Sequence, residues 1–222
     1  MVSTVFFDLD DTLHNTTRLA RLARNAAVHA MIDQGLPLTP DEGCKKLVEI
    51  VKRKGSNYPG HFDLLVEETI GEKNYRLIAA GIIGYHNTKF ANMHPYSDAV
   101  STLIELKKMG MEVNIISNGR SLKQWEKILR LGLESFFTHV LISETVGYSK
   151  PDRKMFETAL SIAHCDANDA VFVDDRVAYI SGARECGMHT ICMDKHHREP
   201  HDAPCDFIVH SLCEIPPLIS AL

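Results

Sequence analysis

The sequence contains no long hydrophobic run, no Cys-x-x-Cys pair, no long basic run and no low-complexity segment. Without an apolar stretch of membrane-spanning length, neither a transmembrane helix nor a membrane partner is predicted. The six cysteines are scattered, which favours reduced thiols of a cytoplasmic protein over a disulfide framework or a zinc site. The net charge of −5 argues against nucleic acid as the main partner. The oligomeric state stays open.

The remaining pattern predicts an α/β protein with a helical insertion. The chain has 222 residues, of which 45% are hydrophobic and 24% are charged, as is ordinary for a globular protein. After residue 93, short apolar strands alternate with helices, which indicates a doubly wound parallel sheet covered on both faces. Residues 15–92 show apolar positions three and four apart and no convincing strand. We therefore predict an α/β core over residues 1–14 and 93–222, with a small α-helical domain inserted at 15–92.

The first predicted strand ends in a group of carboxylates. A short apolar run, Val5–Phe7, leads directly into Asp8, Asp10 and Asp11. Carboxylates at the carboxyl end of a buried strand lie where open α/β sheets bind their ligands. Three like charges in such a place are unfavourable unless a cation neutralises them or one stays protonated. An acidic turn would have the same composition, so the rest of the chain has to supply the partners of a site.

Three later strand ends are expected to carry polar residues of the required kinds. Ser117 and Asn118 follow a strand and precede a helix, where backbone N–H groups suit phosphate oxygens, although such residues are more often helix caps. Lys150 precedes another helix, a place where a lysine is usually a solvated surface group. Asp174 and Asp175 end a strand that is apolar throughout, and two carboxylates there are harder to explain as surface charge.

Together these segments resemble the four motifs of the haloacid dehalogenase-like hydrolases. Asp8-Leu9-Asp10-Asp11-Thr12 resembles the D-x-D-x-T signature of that superfamily, which consists mostly of Mg²⁺-dependent phosphatases working through an aspartyl-phosphate. Ser117, Lys150 and Asp174 resemble its second, third and fourth motifs. The resemblance implies a Rossmann-like core with a helical cap between the first two motifs. It also implies that the Ser117 and Asp174 strands flank the Asp8 strand, so that the motifs meet at one edge of the sheet.

The resemblance implies a catalytic role for each matching residue. Asp8 would be the nucleophile, and Asp10 would protonate the leaving oxygen and then activate water. Residues two apart on an extended segment point the same way, so both can reach one substrate. Ser117, Asn118 and Lys150 would bind the phosphoryl group, with Lys150 also steadying the nucleophile.

The resemblance also implies a Mg²⁺ cofactor. The ion takes oxygen ligands, and the resemblance assigns it to Asp8, the backbone carbonyl of Asp10, and Asp174. Members of the superfamily commonly carry a further acidic residue four or five positions after the first aspartate of the fourth motif. Tyr179 stands at the second of these positions. We expect Asp175 to compensate from the outer shell of the metal.

The substrate is less well defined by the sequence. His14 and Asn15 follow the nucleophile motif and are expected either to line the substrate cleft or to form a polar hinge turn. The partner predicted is a small phosphorylated metabolite, with a nucleotide, a sugar phosphate and a phosphoglycolate-like acid all open.

Three classes of function compete at this stage. A phosphatase is favoured, and a phosphomutase would share the same core motifs. A dehalogenase is disfavoured because such members of the superfamily lack the second aspartate, which is present here as Asp10. A phospho-acceptor signalling module is disfavoured as well, because a long-lived aspartyl-phosphate needs no neighbouring acid/base.

Overall fold

The structure, a computed structural model, describes residues 2–195 and 204–222. The histidine-rich tract after Lys195, for which the sequence favours an exposed loop over a metal site, lies outside the described residues. The chain divides into two compact units, one formed by Met1–Asn15 with His94–Leu222 and the other by Thr16–Met93. Within the described ranges, no helix has both the length and the apolar character needed to cross a membrane.

The first unit is built on a six-stranded parallel sheet. Its strands are β1 (Thr4–Phe7), β2 (Glu112–Ser117), β3 (Val140–Ile142), β4 (Ala170–Asp174), β5 (His189–Met193) and β6 (Phe207–Val209). All neighbouring strands pair in parallel, in the order β3-β2-β1-β4-β5-β6. The first strand, β1, therefore lies inside the sheet between β2 and β4, as the family resemblance implied. The predicted fold class is confirmed.

The second unit is wholly helical, as the periodicity predicted. Its helices are α1 (Thr16–Asp33), α2 (Pro40–Lys54), α3 (His61–Ile70) and α4 (Tyr75–Ala91). Thr39 caps α2 in a reciprocal arrangement, since its hydroxyl accepts from the Glu42 amide while the Glu42 carboxylate accepts from the Thr39 amide. Helices α1 and α4 pack closely, and a Cβ atom on Gly84 would lie 2.8 Å from the Ala26 carbonyl oxygen. The unit has a hydrophobic core of its own, which includes Val28, Met31, Leu47, Ile50 and Leu65.

The remaining helices flank the sheet. They are α5 (Ala99–Lys108), α6 (Ser121–Leu131), α7 (Ser143–Val146), α8 (Arg153–Ile162), α9 (Val177–Glu185) and α10 (Ile215–Ile219). Phe6 and Phe172 on the sheet pack with Phe156 of α8 and Ile180 of α9 in one buried cluster. The amide of Tyr96 donates to the Leu13 carbonyl, and helix α5 begins three residues later, at Ala99.

Candidate active site

Three of the four motifs meet at the carboxyl ends of neighbouring strands. Asp8 directly follows β1, and its amide donates to the Val173 carbonyl of β4 at 2.8 Å, which fixes the start of the acidic segment. Ser117 is the last residue of β2 and Asp174 the last of β4. Asp8, Ser117 and Asp174 are all buried. Because the two strands flank β1, these side chains share one edge of the sheet, as the sequence implied.

Lys150 reaches the same place from a different kind of segment. The later motifs were all expected at strand ends, but Lys150 follows the short helix α7 and precedes α8. Its side chain is fully buried rather than solvated, and Nζ donates to Asp8 Oδ1 and to Asp174 Oδ2, each at 2.6 Å. The loop can approach the sheet because Gly182 has no side chain: a Cβ atom there would lie 2.7 Å from the Pro151 carbonyl oxygen.

Asn118 holds the backbone of Lys150. Its Oδ1 accepts from the Lys150 amide at 2.8 Å, and its Nδ2 donates to the Lys150 carbonyl at 2.9 Å. The side-chain amide of Asn118 is thus engaged with the backbone of the lysine loop. Phosphate binding by Ser117, Asn118 and Lys150 stays a prediction.

The acidic residues form a group with the chemistry of a hard-cation site. Asp8, Asp174 and Asp175 each offer a carboxylate oxygen, and these oxygens all lie within 4.8 Å of one another. Mg²⁺ prefers such oxygen ligands, so the donor set fits the predicted cofactor. The carboxylate of Asp175, for which an outer-shell role is predicted, lies in the same group as those of the two expected ligands.

The electrostatics of this group favour a cation. Burial is the largest influence and raises the pKa of Asp8; Lys150 lowers it and Asp174 raises it again, giving a pKa of about 7. Burial and then the charges of Asp8 and Asp11 raise the pKa of Asp175 to about 7. Burial lowers the pKa of Lys150, but its two carboxylate partners outweigh this and raise the pKa overall, so the group stays an ammonium. Three carboxylates thus share one positive charge, and a divalent cation would relieve the excess.

Asp10 faces a separate set of partners on helix α6. Lys127 Nζ donates to its two carboxylate oxygens at 2.6 and 2.7 Å, and Gln124 Nε2 donates to Oδ2 at 3.0 Å. Burial alone would raise the pKa of Asp10, but the hydrogen bond from His14 and the charge of Lys127 outweigh it and hold the pKa well below its usual range. Asp10 is therefore a carboxylate in this arrangement.

Gln124 and Lys127 are the site residues that sequence reasoning missed. Gln124 is buried and also donates to Ser117 Oγ at 2.6 Å, so it links the second motif to Asp10. The two residues lie three apart on one face of α6, but a glutamine and a lysine at helical spacing carry no signal of their own. Only the pairing of β1 with β2 brings this helix to the first motif.

His14 and Asn15, which were expected either at the substrate cleft or in a hinge turn, have different environments. His14 is buried at 1% exposure, and its Nε2 lies 3.3 Å from Asp10 Oδ1. It therefore contacts the acid/base candidate, and its place in a substrate cleft stays a prediction. Asn15 is half-buried.

Tyr179, the departure from the superfamily pattern, lies with its ring centroid 4.9 Å from Lys150 Nζ.

Known proteins share both the sequence pattern and the fold. A family model described as haloacid dehalogenase-like hydrolase matches residues 5–193. A glyceraldehyde 3-phosphate phosphatase of Methanothermobacter thermautotrophicus is 47% identical over 195 residues, covering 87% of this chain and 86% of the relative. Its namesake from Methanocaldococcus jannaschii is 40% identical over 225 residues, covering 100% and 99%. The crystal structure of an HAD phosphatase from Thermococcus onnurineus has a TM-score of 0.70 at 20% identity and covers 98% of each chain, which shows a shared fold.

The matched range contains all four motifs together with the inserted helices. Relatives at 40–47% identity that span nearly the whole chain are named phosphatases, which confirms the predicted reaction class, phosphoric monoester hydrolysis. The family predicted from the motifs is confirmed as well. The protein belongs to the haloacid dehalogenase-like hydrolase family.

Proposed function

We propose that the protein is a Mg²⁺-dependent phosphatase that hydrolyses a small phosphorylated metabolite through an aspartyl-phosphate on Asp8. The observation that carries the proposal is the group of carboxylates on Asp8, Asp174 and Asp175, within 4.8 Å of one another and beside the buried ammonium of Lys150. The names of the two archaeal relatives make glyceraldehyde 3-phosphate the first substrate to test.

Asp8, Asp174 and Asp175 are the residues that would hold the cation. When bound, Mg²⁺ supplies positive charge beside the phosphoryl oxygens and lowers the electrostatic barrier to attack by an anionic nucleophile. The ammonium of Lys150 adds a second positive charge, fixed at 2.6 Å from Asp8 Oδ1. An aspartate is a weak nucleophile, so it depends on such neutralisation of its target.

In the first half-reaction a carboxylate oxygen of Asp8 forms a bond to phosphorus while the bond from phosphorus to the ester oxygen breaks. Ser117 and Lys150 bind the phosphoryl oxygens, and the leaving oxygen takes a proton from Asp10. This step needs protonated Asp10, whereas Lys127 and His14 hold it ionised in the structure. Asp10 therefore has to part from Lys127 before it can act as the acid.

In the second half-reaction the ionised form of Asp10 is the required one. Its carboxylate removes a proton from water, and the water oxygen attacks phosphorus. The bond between phosphorus and the Asp8 oxygen breaks, which restores the Asp8 carboxylate and releases inorganic phosphate. The contacts of Asp10 with Lys127 and Gln124 hold this base at one position.

The test measures inorganic phosphate released from glyceraldehyde 3-phosphate and from a panel of nucleotide, sugar and short-acid phosphates, with Mg²⁺ and with chelator. Asp8→Asn keeps the shape of the side chain but removes the nucleophile, so turnover should be abolished. Asp166→Asn, an exposed aspartate before β4, is the matched control and should behave as wild type.

Residual activity of Asp8→Asn within about tenfold of wild type would contradict the nucleophile assignment, since loss of a nucleophile costs far more. Formation of an isomeric phosphate ester without net release of phosphate would instead identify a phosphomutase. Equal rates with Mg²⁺ and with chelator would exclude the metal from the mechanism.

A further inference from the structure

Tyr179 occupies a position where the superfamily commonly has a carboxylate, and its surroundings show what the ring does there. We propose that Tyr179 is a positioning residue for Lys150, the lysine that contacts the nucleophile. The inference rests on the proposed function, because it concerns how the phosphoryl-binding ammonium is held. It gives Tyr179 no part in metal binding.

The ammonium of Lys150 lies among two carboxylates and two aromatic rings. The carboxylates are those of Asp8 and Asp174, each 2.6 Å away. The ring centroids of Tyr179 and Phe172 lie 4.9 and 5.2 Å from Nζ. Both distances are within the range of cation–π attraction, which is strongest when the cation is desolvated, and the Lys150 side chain is fully buried. The rings therefore add an attraction for the ammonium to that of the two carboxylates.

Two side chains hold the hydroxyl of Tyr179 in place. It accepts from Nη1 of Arg176 at 2.8 Å and from Nδ2 of Asn118 at 3.3 Å. Asn118 is the residue whose side chain also holds the amide and carbonyl of Lys150. Tyr179 therefore contacts the head of the lysine through its ring and reaches the backbone of the lysine through Asn118.

Charge balance explains why a neutral ring suits this position. Asp8, Asp174 and Asp175 already form a group of three carboxylates, two of which bind the ammonium of Lys150. A fourth carboxylate at residue 179 would add negative charge to the group and compete with Asp8 for Lys150. The π face of Tyr179 attracts the ammonium without adding a charge.

The test compares three substitutions. Tyr179→Leu removes ring and hydroxyl, Tyr179→Phe keeps the ring, and Tyr179→Asp installs the acidic residue. With 4-nitrophenyl phosphate we expect Tyr179→Leu to lower kcat/KM by about 10- to 30-fold, the range that a desolvated cation–π contact supports, and Tyr179→Phe to restore most of that loss. Tyr179→Asp should be no better than Tyr179→Leu.

Two binding measurements separate positioning of Lys150 from a role in the metal shell. Calorimetric titration with inorganic phosphate in the presence of Mg²⁺ should show weaker binding to Tyr179→Leu by a factor similar to the kinetic loss. Thermal-shift titration with Mg²⁺ alone should give the wild-type midpoint for the same variant. Tyr58→Leu is the matched control, since it removes a ring that lies 5.7 Å from Lys54 Nζ in the helical unit, and it should leave both titrations unchanged.

Several results would overturn the proposal. Tyr179→Leu with wild-type kcat/KM and phosphate affinity would show that the ring does not position Lys150. A gain in Mg²⁺ affinity with retained turnover in Tyr179→Asp would place residue 179 in the metal shell, and this comparison decides the matter even if Tyr179→Leu does not fold. Turnover by the wild type tests the proposed function, whereas the ratio of variant to wild type tests this inference, so the two failures are distinguishable.

Discussion

Binding of Mg²⁺ should release protons, and its affinity should rise steeply with pH. In the metal-free site the pKa values of Asp8 and Asp175 are about 7, chiefly because both carboxyls are buried among like charges. A metal ligand has to be ionised, so each group that carries a proton must lose it on binding. For a pKa of about 7, the apparent Kd is multiplied by about 11 at pH 6 and by about 1.1 at pH 8. The expected tightening is about tenfold per group, and about 100-fold if both groups titrate.

The same pKa shifts make the folding stability of the metal-free protein depend on pH. A carboxyl whose pKa rises from 3.8 in the unfolded chain to about 7 on folding binds more protons in the folded state across that interval. Folding stability of the metal-free protein should therefore fall as pH rises from about 4 to about 7, and saturating Mg²⁺ should offset the fall. Asp10 does not contribute to this fall in stability, because its pKa in the folded protein lies below the interval from about pH 4 to about pH 7.

Thermal-shift titration with Mg²⁺ at pH 6 and pH 8 measures the change in affinity. Calorimetry in two buffers of different ionisation enthalpy counts the protons released. Asp175→Asn removes one titrating group, so its affinity should be weaker at pH 8 and should change by only about tenfold between the two pH values. An apparent Kd that is the same at pH 6 and pH 8, with no proton release, would refute the reasoning.

Two further predictions concern Asp10 and its partners. Asp10→Asn should slow hydrolysis of alkyl phosphates by about 10²- to 10⁴-fold and should slow single-turnover phosphorylation by an aryl phosphate less, because a good leaving group needs no proton. Equal losses for both substrates would contradict the acid role. Lys127→Met removes the cation that holds Asp10 ionised, so the pKa of Asp10 should rise and the alkaline limb of the kcat/KM profile, which reports the protonated acid of the first half-reaction, should move to higher pH. Lys123→Met, an exposed lysine on the same helix, is the control, and an unmoved alkaline limb in Lys127→Met would show that Lys127 does not set this pKa.

The sequence by itself determined the architecture and the main part of the site. Local periodicity is enough to predict the helices of the inserted unit, because apolar residues recur there three and four apart. Short apolar runs that alternate with helices permit few topologies, and right-handed crossovers place the strands of Ser117 and Asp174 beside that of Asp8. The sequence therefore suffices to bring together the carboxylates that end these strands.

Only the tertiary structure decided the partners that reach the site from helices and loops. Lys150 is buried against Asp8, although a lysine before a helix is ordinarily solvated, because Gly182 and Asn118 let its loop approach the sheet. Lys127 donates to the carboxylate of Asp10, a residue 117 positions earlier in the chain. Such contacts depend on side-chain direction and helix packing over long separations, for which the spacing of residues in the sequence carries no signal.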